Sequence, residues 1–442
     1  MTKLFGSSGI RGIYGEKITP GMALSVGTAL GTYLKQGKVL IARDARATSE
    51  ILENALASGL ESTGVETIRT GLAPTPALAF ATKKLGMNAG VIITASHNPP
   101  EYNGMKFWQG DSSAYSKEME EELEKLVNGA AGQSESGASW ENIHSSTSID
   151  IISDYSKAIT GFVELKNKHK IALDCGNGAA CAVSPGLLSQ FGEVSKIFST
   201  AEGAKPGRKS EPSEENLSEL KKLVVETNSE IGIAHDGDSD RLAIVDEKGN
   251  FVKKDKLLAI LAIHELEKES GNIVIPVDTS RLVEEAILNA GGQVSMTKIG
   301  DVFVAQEMRN TDAVFGGEPS GCFIFPKANW CPDAVLASLK VLEILEKSQK
   351  SMSELTAELG NYVTLRKKVE CSDENKEKMC NELYEKVRTM EGSERIIEID
   401  GVRADFKDAW VLVRPSGTEP IVRITVEAET AERADELMKK LF

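Results

Sequence analysis

Short apolar runs alternate with amphipathic segments along most of the chain, and each run ends in polar residues. Buried strands are predicted where aliphatic or β-branched residues cluster, at 39–42, 91–94, 171–173, 231–234, 242–245, 273–277, 313–315, 410–413 and 421–426. Helices are predicted where apolar residues recur at helical spacing, over 49–60, 117–127, 256–269, 281–289 and from Thr430 onward. The recurrence of strand, polar loop and helix predicts α/β domains with parallel or mixed sheets.

The length of the chain indicates several domains. A chain of 442 residues exceeds one ordinary hydrophobic core. The residues 130–148 are rich in Gly and Ser, which is typical of a linker or long loop. We therefore predict four domains, with limits at 1–150, 151–252, 253–362 and 363–442.

Composition and charge exclude several classes of partner. A formal net charge of -15 gives the chain no global attraction to nucleic acid or to anionic lipid. No run of 18 or more apolar residues is present, and the first residues lack the apolar stretch of a secretory signal. The six cysteines form no CxxC pair, as is ordinary for a cytosolic protein. We predict a cytoplasmic protein without nucleic-acid or membrane partners.

Three aspartates at alternate positions predict a metal site. Asp236, Asp238 and Asp240 follow a predicted strand, and in an extended segment residues two apart point the same way. Converging carboxylates repel one another unless a cation neutralises them, and oxygen ligands favour Mg²⁺ or Ca²⁺ over zinc. A solvated acidic turn and an EF-hand are the alternatives. Arg241 stands where an EF-hand requires glycine, so we favour Mg²⁺.

A serine with the features of a nucleophile follows another predicted strand. Ser96 lies in the segment Thr94-Ala95-Ser96-His97-Asn98-Pro99-Pro100, where the two prolines would hold the hydroxyl rigidly. The GxSxG pattern of hydrolases is absent. A serine beside a divalent metal suits phosphoryl transfer, in which positioning and charge neutralisation dominate. Lys106, ten residues later, could carry a proton or bind phosphate.

Two further loops are candidates for binding a phosphorylated ligand. Arg414, Ser416, Gly417 and Thr418 combine a guanidinium, hydroxyls and loop N–H groups, which suit phosphate, although a polar hairpin loop could contain the same residues. Gly316-Gly317-Glu318-Pro319-Ser320-Gly321 carries two glycines that could admit a ligand near the backbone, and Glu318 and Ser320 could hydrogen-bond sugar hydroxyls. Any tight turn could show this second pattern.

Taken in order, these four segments resemble the phosphoserine, metal, sugar-binding and phosphate-binding loops of the α-D-phosphohexomutase family. The resemblance covers nearly the whole chain. The opening Phe5–Gly12 is also similar to the start of that family and implies that Arg11 lies in the active site. Lys298-Ile299-Gly300-Asp301 resembles a substrate-contacting segment through Lys298. The implied fold is four domains around a central cleft, with three similar α/β domains and a smaller C-terminal α+β domain.

The resemblance also implies a reaction. Ser96 would be phosphorylated at rest, and its phosphate together with Asp236, Asp238 and Asp240 would hold one Mg²⁺. The sugar would pass through a 1,6-bisphosphate, which also serves the family as activator. Arg11, His97 and Lys106 are the implied catalytic groups beside Ser96. The implied substrate-binding residues are Lys298, Glu318, Ser320, Arg414, Ser416, Gly417, Thr418 and Arg241.

Details of the sugar loop favour one substrate within the family. Glu-Pro-Ser at 318–320 and Cys331-Pro332-Asp333 are similar to archaeal phosphoglucosamine mutases, which interconvert glucosamine 6-phosphate and glucosamine 1-phosphate. A departure is Cys322, where many members carry a histidine, which is the proposed proton carrier in some of them. A phosphomannomutase/phosphoglucomutase, a metal-dependent sugar phosphatase and a non-catalytic sugar-phosphate sensor are the alternatives. The chain would act on a hexose or hexosamine phosphate as a monomer or homodimer.

Overall fold

The computed structural model describes residues 4–6, 8–129, 137–416 and 420–442, excepting the side chains of residues 373 and 374. These residues form two compact units. The first unit contains the residues up to 252 together with 320–354. The second unit contains 253–319 and 355–442.

The first unit begins with a sheet flanked by helices. Its elements are β1 (Ile10–Ile13), α1 (Pro20–Leu34), β2 (Lys38–Arg43), α2 (Ser49–Ser62), β3 (Glu66–Leu72), α3 (Thr75–Lys84), β4 (Ala89–Ile93), β5 (Tyr102–Gln109), α4 (Lys117–Gly129) and β6 (Thr147–Ser148). The strand order is β1-β5-β4-β2-β3-β6. Strands β2, β3 and β4 are parallel, and β5 is antiparallel to β4. The middle strands are continuous apolar runs because helices cover both faces of such sheets.

A second sheet in the same unit repeats this order. Its elements are α5 (Ile152–Thr160), β7 (His169–Asp174), α6 (Ser184–Leu188), β8 (Gly192–Ile197), α7 (Ser218–Thr227), β9 (Ile231–His235) and β10 (Leu242–Asp246). The order β10-β9-β7-β8 matches β5-β4-β2-β3, with three parallel strands and one antiparallel strand. The loops that follow β4 and β9 are therefore equivalent, and both leave a carboxyl edge, where α/β sheets bind ligands.

The second unit contains the third arrangement of this kind. Its elements are α8 (Lys254–Lys268), β11 (Asn272–Pro276), α9 (Arg281–Asn289), β12 (Gln293–Thr297), α10 (Asp301–Asn310) and β13 (Phe315–Gly317). The parallel strands β12-β11-β13 repeat the order of β3-β2-β4. The chain then returns to the first unit through β14 (Phe323–Ile324) and α11 (Ala334–Ser348), and α12 (Met352–Ala357) crosses the boundary between the units.

The C-terminal part of the second unit is an antiparallel sheet. Its elements are β15 (Val363–Glu370), α13 (Asp373–Arg388), β16 (Arg395–Ile397), β17 (Val402–Asp405), β18 (Ala409–Pro415), β19 (Ile421–Ala428) and α14 (Ala431–Lys440). The order is β15-β19-β18-β17-β16, and both helices pack apolar residues against it. Three similar α/β arrangements followed by an α+β domain confirm the predicted fold class. The predicted domain limits stay a prediction.

Local details differ from two sequence predictions. The strand predicted at 313–315 lies at Phe315–Gly317, because Ala313 still belongs to the turn that ends α10 and donates its N–H to Met308. The predicted linker 130–148 includes residues 130–136, outside the described part, but its end forms β6, which pairs with β3. No helix within the described ranges combines the length and apolar character needed to cross a bilayer.

Helices α1 and α2 cross at glycines, which makes this contact sensitive to one methyl group. A Cβ at Gly27 would lie 2.2 Å from the Leu56 carbonyl oxygen, and a Cβ at Gly59 would lie 2.2 Å from that of Leu24. We expect Gly27→Ala to lower the free energy of unfolding by about 1–3 kcal/mol, because the two backbones must separate. Urea denaturation measures this loss.

The matched control is Gly186→Ala in α6, where an added Cβ meets nothing within 4 Å. This variant should be neutral or gain up to about 1 kcal/mol from helix propensity. Equal stability of the two variants would show that the close crossing of α1 and α2 is not needed.

Candidate active site

Ser96 lies in the loop after β4 and is 1% exposed. Its backbone is left-handed, with φ 51°, which is uncommon for a residue other than glycine. The Ser96 Oγ–H donates to Asp236 Oδ2 at 2.8 Å, and His97 Nδ1 lies 3.2 Å from Ser96 Oγ. The loop thus places a buried hydroxyl against a carboxylate from the neighbouring sheet.

The three aspartates lie in the equivalent loop, after β9. A ligand oxygen from each of Asp236, Asp238 and Asp240 lies within 4.8 Å of the others, and all three residues are buried. The predicted convergence is therefore present, but the predicted extended geometry is wrong. Residues 237–240 bend, with Ser239 in a left-handed conformation at φ 63°. The curl of the loop, and not strand alternation, brings the carboxylates together.

Lys106 supplies positive charge to this cluster. It lies on β5, and its Nζ is 2.7 Å from Asp238 Oδ2 and 2.6 Å from Asp240 Oδ2. Burial lowers the pKa of Lys106, but the two carboxylates raise it by more, so the net shift is upward. Lys106 is therefore an ammonium ion at neutral pH in this arrangement. Thr75 supplies a second donor to the same carboxylate oxygen, because its hydroxyl donates to Asp238 Oδ2 at 2.5 Å.

Burial and charge separate the pKa values in the cluster. Burial, with repulsion from Asp240 and Asp238, raises the pKa of Asp236 well above its usual range. Burial acts on Asp238 in the same direction, but the Lys106 ammonium outweighs it and lowers the pKa of Asp238. Burial and the cations of Arg241 and Arg11 lower the pKa of His97 to about 3.

The donor set of this cluster fits a divalent cation. Asp238 Oδ1 and Asp240 Oδ1 are buried, and neither has a hydrogen-bond partner in the part of the chain that the structure describes. Buried carboxylate oxygens that lack donors are costly unless a cation contacts them. Three carboxylates with only oxygen ligands suit Mg²⁺. The acidic triad could therefore hold a metal ion.

Two arginines lie beside the serine and the acidic loop. Arg11, on β1, donates from Nη1 to Asn98 Oδ1 at 3.3 Å, and its buried Nε has no described partner. The Arg241 Nη1 donates to Glu211 Oε2 at 2.8 Å, and its backbone N–H donates to Asp236 Oδ1 at 3.2 Å. The structure thus brings Arg11 and Arg241 to the loops of Ser96 and the acidic triad, as the resemblance implied. Sequence analysis did not find Glu211.

The remaining candidates divide between the units. Ser320 begins the return segment of the first unit, whereas Lys298, Glu318, Arg414 and Ser416 belong to the second unit. Glu318 Oε1 accepts the Gly300 N–H at 2.8 Å, so the sugar-loop carboxylate lies beside the segment of Lys298. Arg414 Nη1 lies 3.8 Å from Asp400 Oδ2. The candidates Gly417 and Thr418 lie outside the described residues.

One sequence interpretation changes in the loop of Glu318 and Ser320. Gly316 was expected to admit a ligand, but a Cβ there would lie 2.3 Å from Met308 Sδ and 2.9 Å from Val304 Cγ1. This glycine therefore allows β13 to pack against α10. Cys322, which stands where the resemblance implied a histidine, is 4% exposed and forms an antiparallel backbone bridge with Arg241.

Comparison with protein families gives four consecutive matches. Residues 2–133 match the model of α/β/α domain I of the phosphoglucomutase/phosphomannomutase family, and residues 153–249 match that of α/β/α domain II. Domain III matches over 253–362, and the C-terminal domain matches over 367–442.

Similar proteins are known from archaea. A probable phosphoglucosamine mutase of Pyrococcus horikoshii is 44% identical over 445 residues, covering 100% of this chain and 97% of that protein. One from Methanosarcina acetivorans is 43% identical, covering 98% of this chain and 97% of the relative. A crystal structure of a phosphoglucomutase/phosphomannomutase family protein from Burkholderia thailandensis has a TM-score of 0.89 and 28% identity, covering 100% and 96% of the two chains.

Proposed function

Because the chain belongs to the phosphoglucomutase/phosphomannomutase family, we propose that it is a phosphoglucosamine mutase. It would interconvert glucosamine 6-phosphate and glucosamine 1-phosphate, the reaction for which its archaeal relatives are named. The observation that carries the proposal is the 2.8 Å hydrogen bond from Ser96 Oγ to Asp236 Oδ2. This bond places a nucleophile within the acidic triad, an arrangement that a simple sugar-phosphate sensor would not need.

Ser96 would carry a phosphoryl group at rest. The bond from Ser96 Oγ to phosphorus breaks as the 1-oxygen of glucosamine 6-phosphate bonds to phosphorus, and the proton of the 1-hydroxyl passes to the freed Ser96 oxygen. The product is the 1,6-bisphosphate. After the sugar turns, Ser96 Oγ bonds to the phosphorus of the 6-phosphate as the bond from phosphorus to the sugar 6-oxygen breaks. The Ser96 proton passes to that 6-oxygen, and glucosamine 1-phosphate leaves. Free bisphosphate would re-phosphorylate any Ser96 that has lost its phosphate, which is the activator role.

The chain's own residues would organise the charges. Asp236, Asp238 and Asp240 would hold Mg²⁺ together with the phosphate on Ser96. When bound, the ion neutralises charge on the transferring phosphoryl group. Lys106 would orient Asp238 and Asp240, since its ammonium contacts both.

Proton transfer and substrate binding would fall to the other polar groups. Arg11, His97 and Lys106 are the groups that we propose for proton transfer and charge neutralisation around Ser96. The phosphate that is not reacting would bind to the loop of Arg414, Ser416, Gly417 and Thr418. The sugar would contact Lys298, Glu318, Ser320 and Arg241.

A comparison of substrates tests the proposal. With Mg²⁺ and catalytic amounts of the matching 1,6-bisphosphate, we expect kcat/KM for glucosamine 6-phosphate to exceed that for glucose or mannose 1-phosphate. A margin of at least about tenfold is expected, which corresponds to one well-placed contact with the amino group. Phosphorus NMR separates the products and reports any free phosphate.

Each other outcome identifies a different enzyme. Faster turnover of mannose or glucose phosphate would make the chain a phosphomannomutase/phosphoglucomutase. Release of inorganic phosphate in stoichiometric amounts, without need of the bisphosphate, would make it a phosphatase. Cytoplasmic location and a monomeric or homodimeric state stay predictions.

A further inference from the structure

Two buried arginines lie behind the loops of Ser96 and Asp236, and each pairs with an aspartate at the end of an equivalent strand. Arg46 pairs with Asp44, directly after β2, with 3.1 Å between Nε and Oδ2. Arg208 pairs with Asp174, the last residue of β7, with 2.8 Å between Arg208 Nε and Asp174 Oδ2. Strands β2 and β7 hold the same position in their sheets. The arrangement therefore occurs once in each sheet of the first unit.

All five N–H groups of Arg46 have a hydrogen-bond acceptor. One acceptor is Asp44, and the other four are backbone carbonyl oxygens, three in the loop of Ser96 and one at the start of β5. Nη2 donates to Ser96 and Asn98 at 2.8 and 2.7 Å, and Nη1 donates to Pro99 and Tyr102 at 2.6 and 2.9 Å. With its side chain 6% exposed, the guanidinium is a buried template on which the loop is folded.

Asp44 connects this arginine back to Ser96 by a second path. The Ser96 N–H donates to Thr94 Oγ1 at 2.8 Å, and the Thr94 hydroxyl donates to Asp44 Oδ2 at 2.7 Å. The hydrogen bonds thus form a closed ring through Ser96 N, Thr94, Asp44, Arg46 and Ser96 O. The left-handed backbone of Ser96 is unfavourable for an L-residue and persists only when its surroundings impose it. The ring supplies that constraint.

Arg208 holds the acidic loop in a similar way. Its Nη2 donates to the carbonyl oxygen of His235 at 2.6 Å, immediately before Asp236. Its Nη1 donates to the carbonyl oxygens of Lys209 and Ser210 at 2.9 and 3.3 Å. The guanidinium thus ties the start of the acidic loop to the end of β7, as Arg46 ties the serine loop to the end of β2.

We infer that Arg46 and Arg208 are positioning residues for the reaction. Arg46 holds the Ser96 hydroxyl in line for transfer, and Arg208 holds Asp236 in the geometry that binds metal. The inference rests on the proposed function. Neither residue touches the substrate in this scheme, because each guanidinium is occupied by the backbone. The planar fork is what matters, since a lysine ammonium carries the same charge but cannot span the same acceptors.

Arg46→Lys tests the first assignment. Because a misplacement of about 1 Å can cost about 10²-fold in rate, we expect kcat to fall by about that factor. The KM for the sugar phosphate should stay within about threefold, since binding groups are untouched. The matched control is Arg388→Lys, which changes an exposed arginine paired with Glu398 and should leave kcat unchanged.

Arg208→Lys tests the second assignment, because this variant, unlike Arg46→Lys, should bind Mg²⁺ more weakly. Because residues behind metal ligands change affinity by about 10–100-fold, we expect the Kd for Mg²⁺ of the dephosphorylated protein to rise by at least about tenfold. The Kd of the Arg46→Lys protein should stay within about twofold of wild type. Titration calorimetry measures both values. Equal Mg²⁺ affinities of Arg208→Lys and wild type would overturn the second assignment.

A second pair of variants covers the case that Arg46→Lys does not fold. Thr94→Val keeps the side-chain shape but opens the ring, whereas Thr94→Ser restores the hydroxyl. Phosphoryl transfer from the 1,6-bisphosphate to Ser96, followed by rapid quench, should be about 10²-fold slower in Thr94→Val and near wild type in Thr94→Ser.

The outcomes separate the two proposals. A wild-type protein that never takes phosphate on Ser96 would refute the proposed function. Wild-type and Thr94→Val proteins that phosphorylate Ser96 at the same rate would refute only the positioning role of the ring. A folded Arg46→Lys protein with the kcat of wild type would refute only the positioning role of Arg46.

Discussion

Replacing Ser96 with alanine is expected to lower kcat by at least about 10⁴-fold, as loss of a covalent nucleophile does in other enzymes. The reason is geometric, because the Ser96 hydroxyl is the oxygen that donates to Asp236 within the acidic triad. The free energy of unfolding of the variant should lie within about 1–2 kcal/mol of the wild-type value, since one buried hydrogen bond is removed. Turnover of glucosamine 6-phosphate with bisphosphate supplied is the measurement.

Mass spectrometry of the same samples provides an independent check. Wild-type protein incubated with the bisphosphate should gain one phosphoryl group, and the alanine variant should gain none. The control is Ser58→Ala on the exposed face of α2, where the hydroxyl donates only to the Asn54 carbonyl oxygen. Should Ser96→Ala protein retain ordinary turnover, phosphoryl transfer through this residue would be ruled out.

Replacing Asp238 with asparagine is expected to weaken both Mg²⁺ binding and catalysis. Asp238 Oδ1 is a buried oxygen without a hydrogen-bond partner in the described structure, and Asp238 forms a triad with two further carboxylates. An amide is a weaker ligand without charge, so we expect the Kd for Mg²⁺ to rise by about 10²-fold and kcat to fall by about 10³-fold. Lys106 also loses one of its two anionic partners.

Thermal unfolding with and without Mg²⁺ reports the metal loss separately from catalysis. Ligand binding to the folded state raises Tm, so millimolar Mg²⁺ should raise the Tm of wild type and not that of Asp238→Asn. The control is Asp154→Asn, which removes an exposed carboxylate paired with Lys84. A magnesium-induced rise in Tm that is the same in all three proteins would show that the triad is not the binding site.

Local sequence patterns predicted the elements that carry the chemistry. The β-branched run before Ser96 forms β4, and the apolar run before Asp236 forms β9, because each contains enough buried apolar residues to define a central strand. The rule that ligands bind at the carboxyl edge then places both loops on the correct side of their sheets. The convergence of the aspartates was predicted from strand alternation, but it arises from the bend at 237–240. The need for a cation then follows from the repulsion between the converging carboxylates.

Local patterns alone could not predict contacts between distant parts of the chain, and only the family resemblance implied that Ser96 meets the aspartates. Thr75 and Asp238 are separated by 163 positions, and Ser96 and Asp236 by 140. Arg46 was visible only as part of a polar stretch after a strand, and nothing near it in sequence indicates that it contacts four carbonyl oxygens. The role of Gly316 depended on the packing of α10, so a ligand explanation was as reasonable from sequence alone.

The glycine between the first two aspartates has a consequence for how the protein could be divided. A Cβ at Gly237 would lie 2.5 Å from the carbonyl oxygen of Ser96, so the two loops touch where no side chain fits. Each sheet contributes only half of this junction. A fragment that ended before residue 150 would contain the serine without its carboxylate acceptor. Complementation between separately produced halves would therefore restore phosphoryl transfer only when the two sheets dock closely enough to bring the loop of Gly237 back into contact with the Ser96 carbonyl oxygen.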